Sequence, residues 1–149
     1  MEEVDIWNIA IQMVKGIKAL HDKGILHRDL KSANIFTYSD GSVRIGDLNV
    51  SKIMKEQLSY TQTGTPYYAC PEVWRDKPYD FKSDIWSLGV IIYEITQLIV
   101  PFKAETIDDL YKKVCRGVFQ AIESKYSSEL SKLISAMLNV DPTKRPSCN

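Results

Sequence analysis

His27-Arg28-Asp29-Leu30-Lys31-Ser32-Ala33-Asn34 is followed at once by Ile35-Phe36-Thr37, Asp40-Gly41, Val43-Arg44-Ile45 and Asp47. The two short runs carry β-branched and aromatic residues and flank Asp-Gly, the pattern of a β-hairpin. Taking Asp40-Gly41 as a two-residue turn pairs residues whose numbers sum to 81, which sets Asn34 opposite Asp47 at the open end of the ribbon. A carboxylate and an amide oxygen side by side make a hard-oxygen site suited to Mg²⁺, which takes one or two protein oxygens and fills its other positions with water and phosphate. Asp29 lies just upstream, so a further carboxylate faces the same space. On the hairpin alone, Asn34 and Asp47 read equally as polar residues ending a turn.

Upstream, Ile6, Ile9, Ala10, Met13, Val14, Ile17 and Leu20 form the i, i+3, i+4, i+7 stripe of an amphipathic helix, and Gly24 sits where it stops. Downstream, Leu48 to about Tyr79 is polar and turn-rich without a sustained period, so it reads as one long surface loop; loops of that length in compact domains are usually functional. Ser83 or Asp84 then opens a helix, Ile85 to Ile95, that is apolar on nearly every side, as a helix at the centre of a core is. Thr106 with Asp109 reads as the capped start of another helix. Ser127 reads as the cap of a last one, running through Leu138 with Glu129 in its first turn and ending before Asp141-Pro142. The expected class is mainly α with a small β-hairpin, in one domain.

The 149 residues are 44% hydrophobic and 26% charged, and 19 basic residues balance 19 acidic ones. Such a balance offers no electrostatic reason to expect nucleic acid or an anionic membrane as a partner. The most apolar stretch, Ile85 to Val100, is broken by Glu94 and Gln97, short of the roughly 18 apolar residues a membrane span needs. The acidic start Met-Glu-Glu-Val-Asp lacks the basic region of a secretory signal. Cys70, Cys115 and Cys148 are odd in number and far apart, as reduced thiols in a cytoplasmic protein are.

His27-Arg28-Asp29-Leu30-Lys31-Ser32-Ala33-Asn34 matches the H-R-D-L-x-x-x-N catalytic loop of protein kinases at every fixed position. Gly64-Thr65-Pro66-Tyr67-Tyr68-Ala69-Cys70-Pro71-Glu72 resembles the end of a kinase activation segment, with Cys70 where Ala or Ser is usual. The resemblance covers essentially the whole chain, and it implies the C-terminal lobe of a kinase domain with catalytic loop 27–34 and activation segment 47–72. Asp29 would accept the proton of the substrate hydroxyl, while Asn34 and Asp47 would hold Mg²⁺, or Mn²⁺ in its place, against the phosphates of ATP. Lys31 would offset charge at the γ-phosphate, and Thr65 would bridge to Asp29 and Lys31; both favour protein Ser/Thr hydroxyls as substrate. Asp84 resembles the aspartate that braces the catalytic loop from the central helix, and Arg145 the arginine that pairs with Glu72. Within kinases, Ile25 to Asp29, Gly64 to Tyr68 and Lys82 to Gly89 most resemble the NIMA-related (Nek) group, for which cytoskeletal or ciliary association follows by resemblance. Thr61 resembles that group's activating phosphosite, with Thr63 second and Arg28 as the phosphate's partner.

Two departures stand out. Asp47-Leu48-Asn49 replaces Asp-Phe-Gly: the metal-binding Asp is kept, Leu48 is a smaller plug, and Asn tolerates left-handed backbone. No Gly-x-Gly-x-x-Gly and no Val-Ala-Ile-Lys strand occurs in these residues. The expectation is therefore a fragment holding half an active site and inactive alone; the alternative is a pseudokinase or scaffold lobe acting through protein binding.

Overall fold

The computed structural model describes residues 1–47 and 66–148. Leu48, Asn49, Thr61, Thr63 and Thr65 lie outside them.

Among the described residues there are five α-helices and one two-stranded sheet: α1 (Glu3–His21), β1 (Ile35–Thr37), β2 (Val43–Ile45), α2 (Pro71–Trp74), α3 (Phe81–Gln97), α4 (Ile107–Arg116) and α5 (Ser128–Met137). Single 3-10 turns span Ser32–Asn34 and Pro142–Lys144. The class read from the pattern, mainly helical with one hairpin, is the class observed.

α3 is the hub, with every residue from Ser83 to Tyr93 buried. α1 lays Ile6, Ala10, Met13 and Ile17 against it, and α5 adds Leu130, Ile134 and Met137 from another side. Each Ile, Leu or Met side chain buried in this way contributes roughly 1.5–3 kcal/mol relative to exposure. Trp86 stacks on Phe102 with ring centroids 5.4 Å apart, which anchors the chain leaving α3. α1 ends at His21, and Gly24 follows at φ 70°, where the Ile25 N–H closes the helix onto Leu20 O. Thr106 caps α4 by accepting from Asp109 N, and Ser127 caps α5 by accepting from Leu130 N.

Three expectations are corrected. α3 begins at Phe81, before Ser83 or Asp84, because Asp80 is its N-cap: the Asp80 side chain accepts from Lys82 N and Ser83 N while the Ser83 hydroxyl accepts from Asp80 N. The stretch read as loop to Tyr79 contains α2, a helix too short to show a period, with Pro71 in its first turn. The hairpin is shifted by one residue. Ile35 faces Ile45, so partners sum to 80 and Asn34 faces Gly46, whose N–H donates to Asn34 O at 2.9 Å. The turn is a three-residue loop closed by Tyr38 N to Ser42 O, with Gly41 alone at positive φ. A two-residue turn of the Asp-Gly type needs positive φ at both positions. Asp40 stays out of that region and uses its carboxylate to accept from Ser42 N at 2.9 Å. Asp47 therefore follows the paired end of the ribbon, at φ 57°.

Candidate active site

The backbone of His27 and Arg28 is fixed from below by α3. Asp84, in the first turn of α3, is fully buried, and its carboxylate accepts four hydrogen bonds. His27 N reaches Oδ2 at 3.0 Å and Arg28 N reaches Oδ1 at 3.1 Å. Tyr79 OH reaches Oδ1 at 2.6 Å, and His21 Nε2 reaches Oδ2 at 2.9 Å. Burial, then the Asp84 charge beside it, pushes the Tyr79 phenol well above its usual value, so it remains a donor. Arg28 holds φ 68°, a conformation a long side chain adopts only when its surroundings impose it.

That twist delivers Asp29. Its Oδ2 accepts from Lys31 Nζ at 2.9 Å and from Asn34 Nδ2 at 3.3 Å, and Asn34 Nδ2 also donates to Asp29 O at 2.8 Å. The side chains of Asp29 and Lys31 are 37% and 39% exposed, open to a reactant. His27, buried, places Nε2 3.1 Å from Gly46 O. A carbonyl only accepts, so Nε2 carries the proton and Nδ1 is the acceptor that Asp29 N approaches at 3.4 Å. Residues 27–34 thus grip the hairpin through both backbone polar groups of Gly46, its N–H and its carbonyl.

Asn34 and Asp47 are brought to the same end of the hairpin, though not as direct partners. Asn34 is buried, and with Nδ2 committed to Asp29 its Oδ1 is the atom left for a cation. Asp47 is exposed and adds one full charge. One carboxylate and one amide oxygen fit Mg²⁺ bound together with phosphates, a mode that needs no all-protein cage. No cluster of three or more His, Cys, Asp or Glu suited to a metal occurs among the described residues.

Glu72 and Arg145 meet in a buried, two-pronged pair: Nη1 to Oε1 at 2.6 Å and Nη2 to Oε2 at 2.8 Å. Arg145 further donates to Asn139 O and Lys82 O, and Ser83 Oγ donates to Glu72 Oε1 at 2.9 Å. Burial raises the Glu72 carboxyl, but the Arg145 hydrogen bonds and charge outweigh it and hold it below the usual range. The Cys70 thiol beside it is pushed up to about 12, first by burial and then by the Glu72 charge, which leaves it unreactive.

Several contacts had no signal in the sequence. Tyr68 OH donates to Glu94 Oε2 at 2.7 Å, so the Ser32 hydroxyl 2.9 Å away is the donor to Tyr68. This ties Ser32 to the chain entering α2 and to α3. His21 and Tyr79 reach Asp84 from the end of α1 and from the residue before the Asp80 cap, positions where sequence shows only a helix end and a turn.

Residues 1–149 match the protein kinase domain family, and the chain belongs to it. It is similar to the serine/threonine-protein kinase Nek3 of Mus musculus, 40% identical over 147 residues that cover 97% of this chain and 29% of that protein. The serine/threonine-protein kinase Nek5 of Homo sapiens is 41% identical over 142 residues, 93% of this chain and 20% of that protein. A probable serine/threonine-protein kinase, nek2 of Dictyostelium discoideum, is 40% identical over 153 residues, all of this chain and 37% of that protein. The chain therefore spans well under half the length of these relatives, all of which carry the Nek name that the sequence resembles.

Proposed function

We propose that these residues form the C-terminal lobe of a Ser/Thr kinase domain, with catalytic loop 27–34 and activation segment 47–72, and that they carry the transfer of the ATP γ-phosphoryl group to protein Ser or Thr hydroxyls. One observation carries the reading: Asp29 is presented half-open on a loop anchored at buried Asp84, its Oδ2 occupied by Lys31 and Asn34. Oδ1 is then the oxygen offered to a substrate hydroxyl. As the substrate oxygen bonds to the γ-phosphorus, its proton passes to Asp29 and the bond from that phosphorus to the ADP oxygen breaks. Lys31 balances the charge of Asp29 before the reaction and that of the phosphoryl oxygens during it. Magnesium at Asn34 Oδ1 and Asp47 supplies neutralisation of phosphate charge when bound. The exposed Phe36 ring, on the same hairpin, adds an apolar surface for a planar base.

No helix among the described residues is long and apolar enough to cross a membrane. Free Cys70, Cys115 and Cys148 support a reducing, cytoplasmic setting.

The test joins residues 1–149 to a kinase lobe that supplies a Gly-rich loop and strand lysine, and offers Mg-ATP with a mixed protein substrate. Phosphate recovered on Ser and Thr supports the assignment. Recovery on Tyr alone, or binding without transfer, contradicts it, the second result favouring a scaffold.

A further inference from the structure

Gln12 lies on α1, far in sequence from the catalytic loop, yet both ends of its amide are used by the hairpin backbone. Oε1 accepts from Val43 N at 2.9 Å, and Nε2 donates to Gly41 O at 3.1 Å and to Asn8 O at 3.3 Å. Val43 faces Thr37 at a position whose N–H points away from β1, so this edge donor has no partner inside the sheet. Gln12 supplies it.

One turn further along the same face of α1 stands Gly16. A Cβ there would lie 3.0 Å from Ile45 Cδ1, so the missing side chain is what lets Ile45 settle against the helix. Val43 and Ile45 are thus seated on α1 at successive outward positions of β2, by a hydrogen bond and by a close apolar contact. Asp47 follows two residues after Ile45, just past the end of β2. Gly46, between them, is held from the opposite edge by Asn34 O and His27 Nε2. The strand leading to Asp47 is therefore fastened on both edges, the loop holding one and α1 the other.

We propose that Gln12 is a positioning residue for the metal site: by fixing β2 on α1 it sets where the Asp47 carboxylate stands relative to Asn34. The inference rests on the reading of Asn34 and Asp47 as metal ligands. Without the amide, the outer edge of β2 is free to lift while the core of α1, built on Ile6, Ala10, Met13 and Ile17, is untouched. Groups that orient metal ligands from behind typically shift metal affinity by about 10–100-fold, and the lower end applies to one acting through a strand.

The test uses the isotope-labelled chain 1–149 and Mn²⁺ alone, read as paramagnetic broadening of assigned amide signals. In the wild type, broadening should centre on Asn34, Gly46 and Asp47. Gln12→Met, which removes all three hydrogen bonds of the amide, two of them to the hairpin, at nearly constant volume, should raise the half-maximal Mn²⁺ concentration about 10-fold. Gln12→Glu keeps the acceptor for Val43 N and loses the Nε2 donor to Gly41 O and Asn8 O, so its shift should be smaller, about 3-fold. The Val43 amide shift should move in the first variant and stay in the second. If wild-type broadening is not centred on those three residues, the metal-site reading fails. If it is, and Gln12→Met titrates within about two-fold of wild type, the positioning role fails while the metal site stands. If both variants lose native amide dispersion, Gln12 is a stability residue and the proposal is overturned.

Discussion

Asp84 Oδ1 accepts the backbone N–H of Arg28 at 3.1 Å, and Arg28 stands in left-handed backbone, at φ 68°. Such a conformation costs about 1–3 kcal/mol for a non-glycine residue and persists only where several contacts impose it. The second carboxylate oxygen takes the neighbouring His27 N–H at 3.0 Å, so one buried side chain fixes two successive peptide groups immediately before Asp29.

Replacing Asp84 should consequently unsettle both the fold and the loop. Asp84→Ala strands two buried backbone donors, the Tyr79 hydroxyl and His21 Nε2, so the expected loss is about 3–5 kcal/mol. Urea unfolding measures it. A change below about 1 kcal/mol would show that water or a rearranged loop replaces the carboxylate.

The Glu72 and Arg145 pair gives a pH signature. The folded-state value of Glu72 lies below its ordinary 4.5, so its contribution to stability is complete above that value and is lost as pH falls through the lowered folded value. Wild type should exceed Glu72→Gln in stability at pH 7, with the gap closing on acidification below about pH 4.5. A gap that stays constant down to about pH 3 would show that folding leaves the Glu72 carboxyl unshifted, and a widening gap that folding raises it; either contradicts the pairing.

At the hairpin end, Asp47→Ala should weaken Mg²⁺-dependent nucleotide binding more than Asn34→Ala, because a carboxylate brings a full charge to a hard cation. Asn34→Ala should instead lower turnover more than its effect on binding, since Asn34 Nδ2 also holds Asp29 through two contacts. Equal binding in wild type and Asp47→Ala, measured calorimetrically in a chain carrying both lobes, would remove Asp47 from the metal.

Much of this architecture is written locally. The α1 stripe, both strands at their observed limits and the Thr106 and Ser127 caps follow from residue periods and side-chain oxygens acting over three or four positions. What escaped depends on a choice between near-equal local solutions. Asp40-Gly41 suits a two-residue turn, but Asp40 bonding to Ser42 N favours the three-residue loop and slips the register by one. Ser83-Asp84 looks like a helix start, yet Asp80 wins because it satisfies two N–H groups, freeing Ser83 for Glu72 and Asp84 for the loop. The link from Tyr68 to Ser32 and Glu94 spans 36 and 26 positions and has no local signature. Residues 27–34 stand out because they match H-R-D-L-x-x-x-N at every fixed position, and the structure places Asp29 beside Asn34, with Asp47 following at the same end of the hairpin.

The measurement closest to the central claim is phosphoryl transfer by Asp29→Asn, made in the 149 residues joined to a nucleotide-gripping lobe and compared with the unmutated chain under saturating Mg-ATP. The substitution is nearly isosteric, and Asn keeps an acceptor for Lys31 Nζ and Asn34 Nδ2, so the fold should be retained in the thermal transition. The carboxylate that takes the hydroxyl proton is gone. Turnover should fall about 10²–10⁴-fold with nucleotide affinity little changed. Turnover equal to that of the unmutated chain would contradict Asp29 as the base, and with it the reading of this loop as a phosphotransfer site.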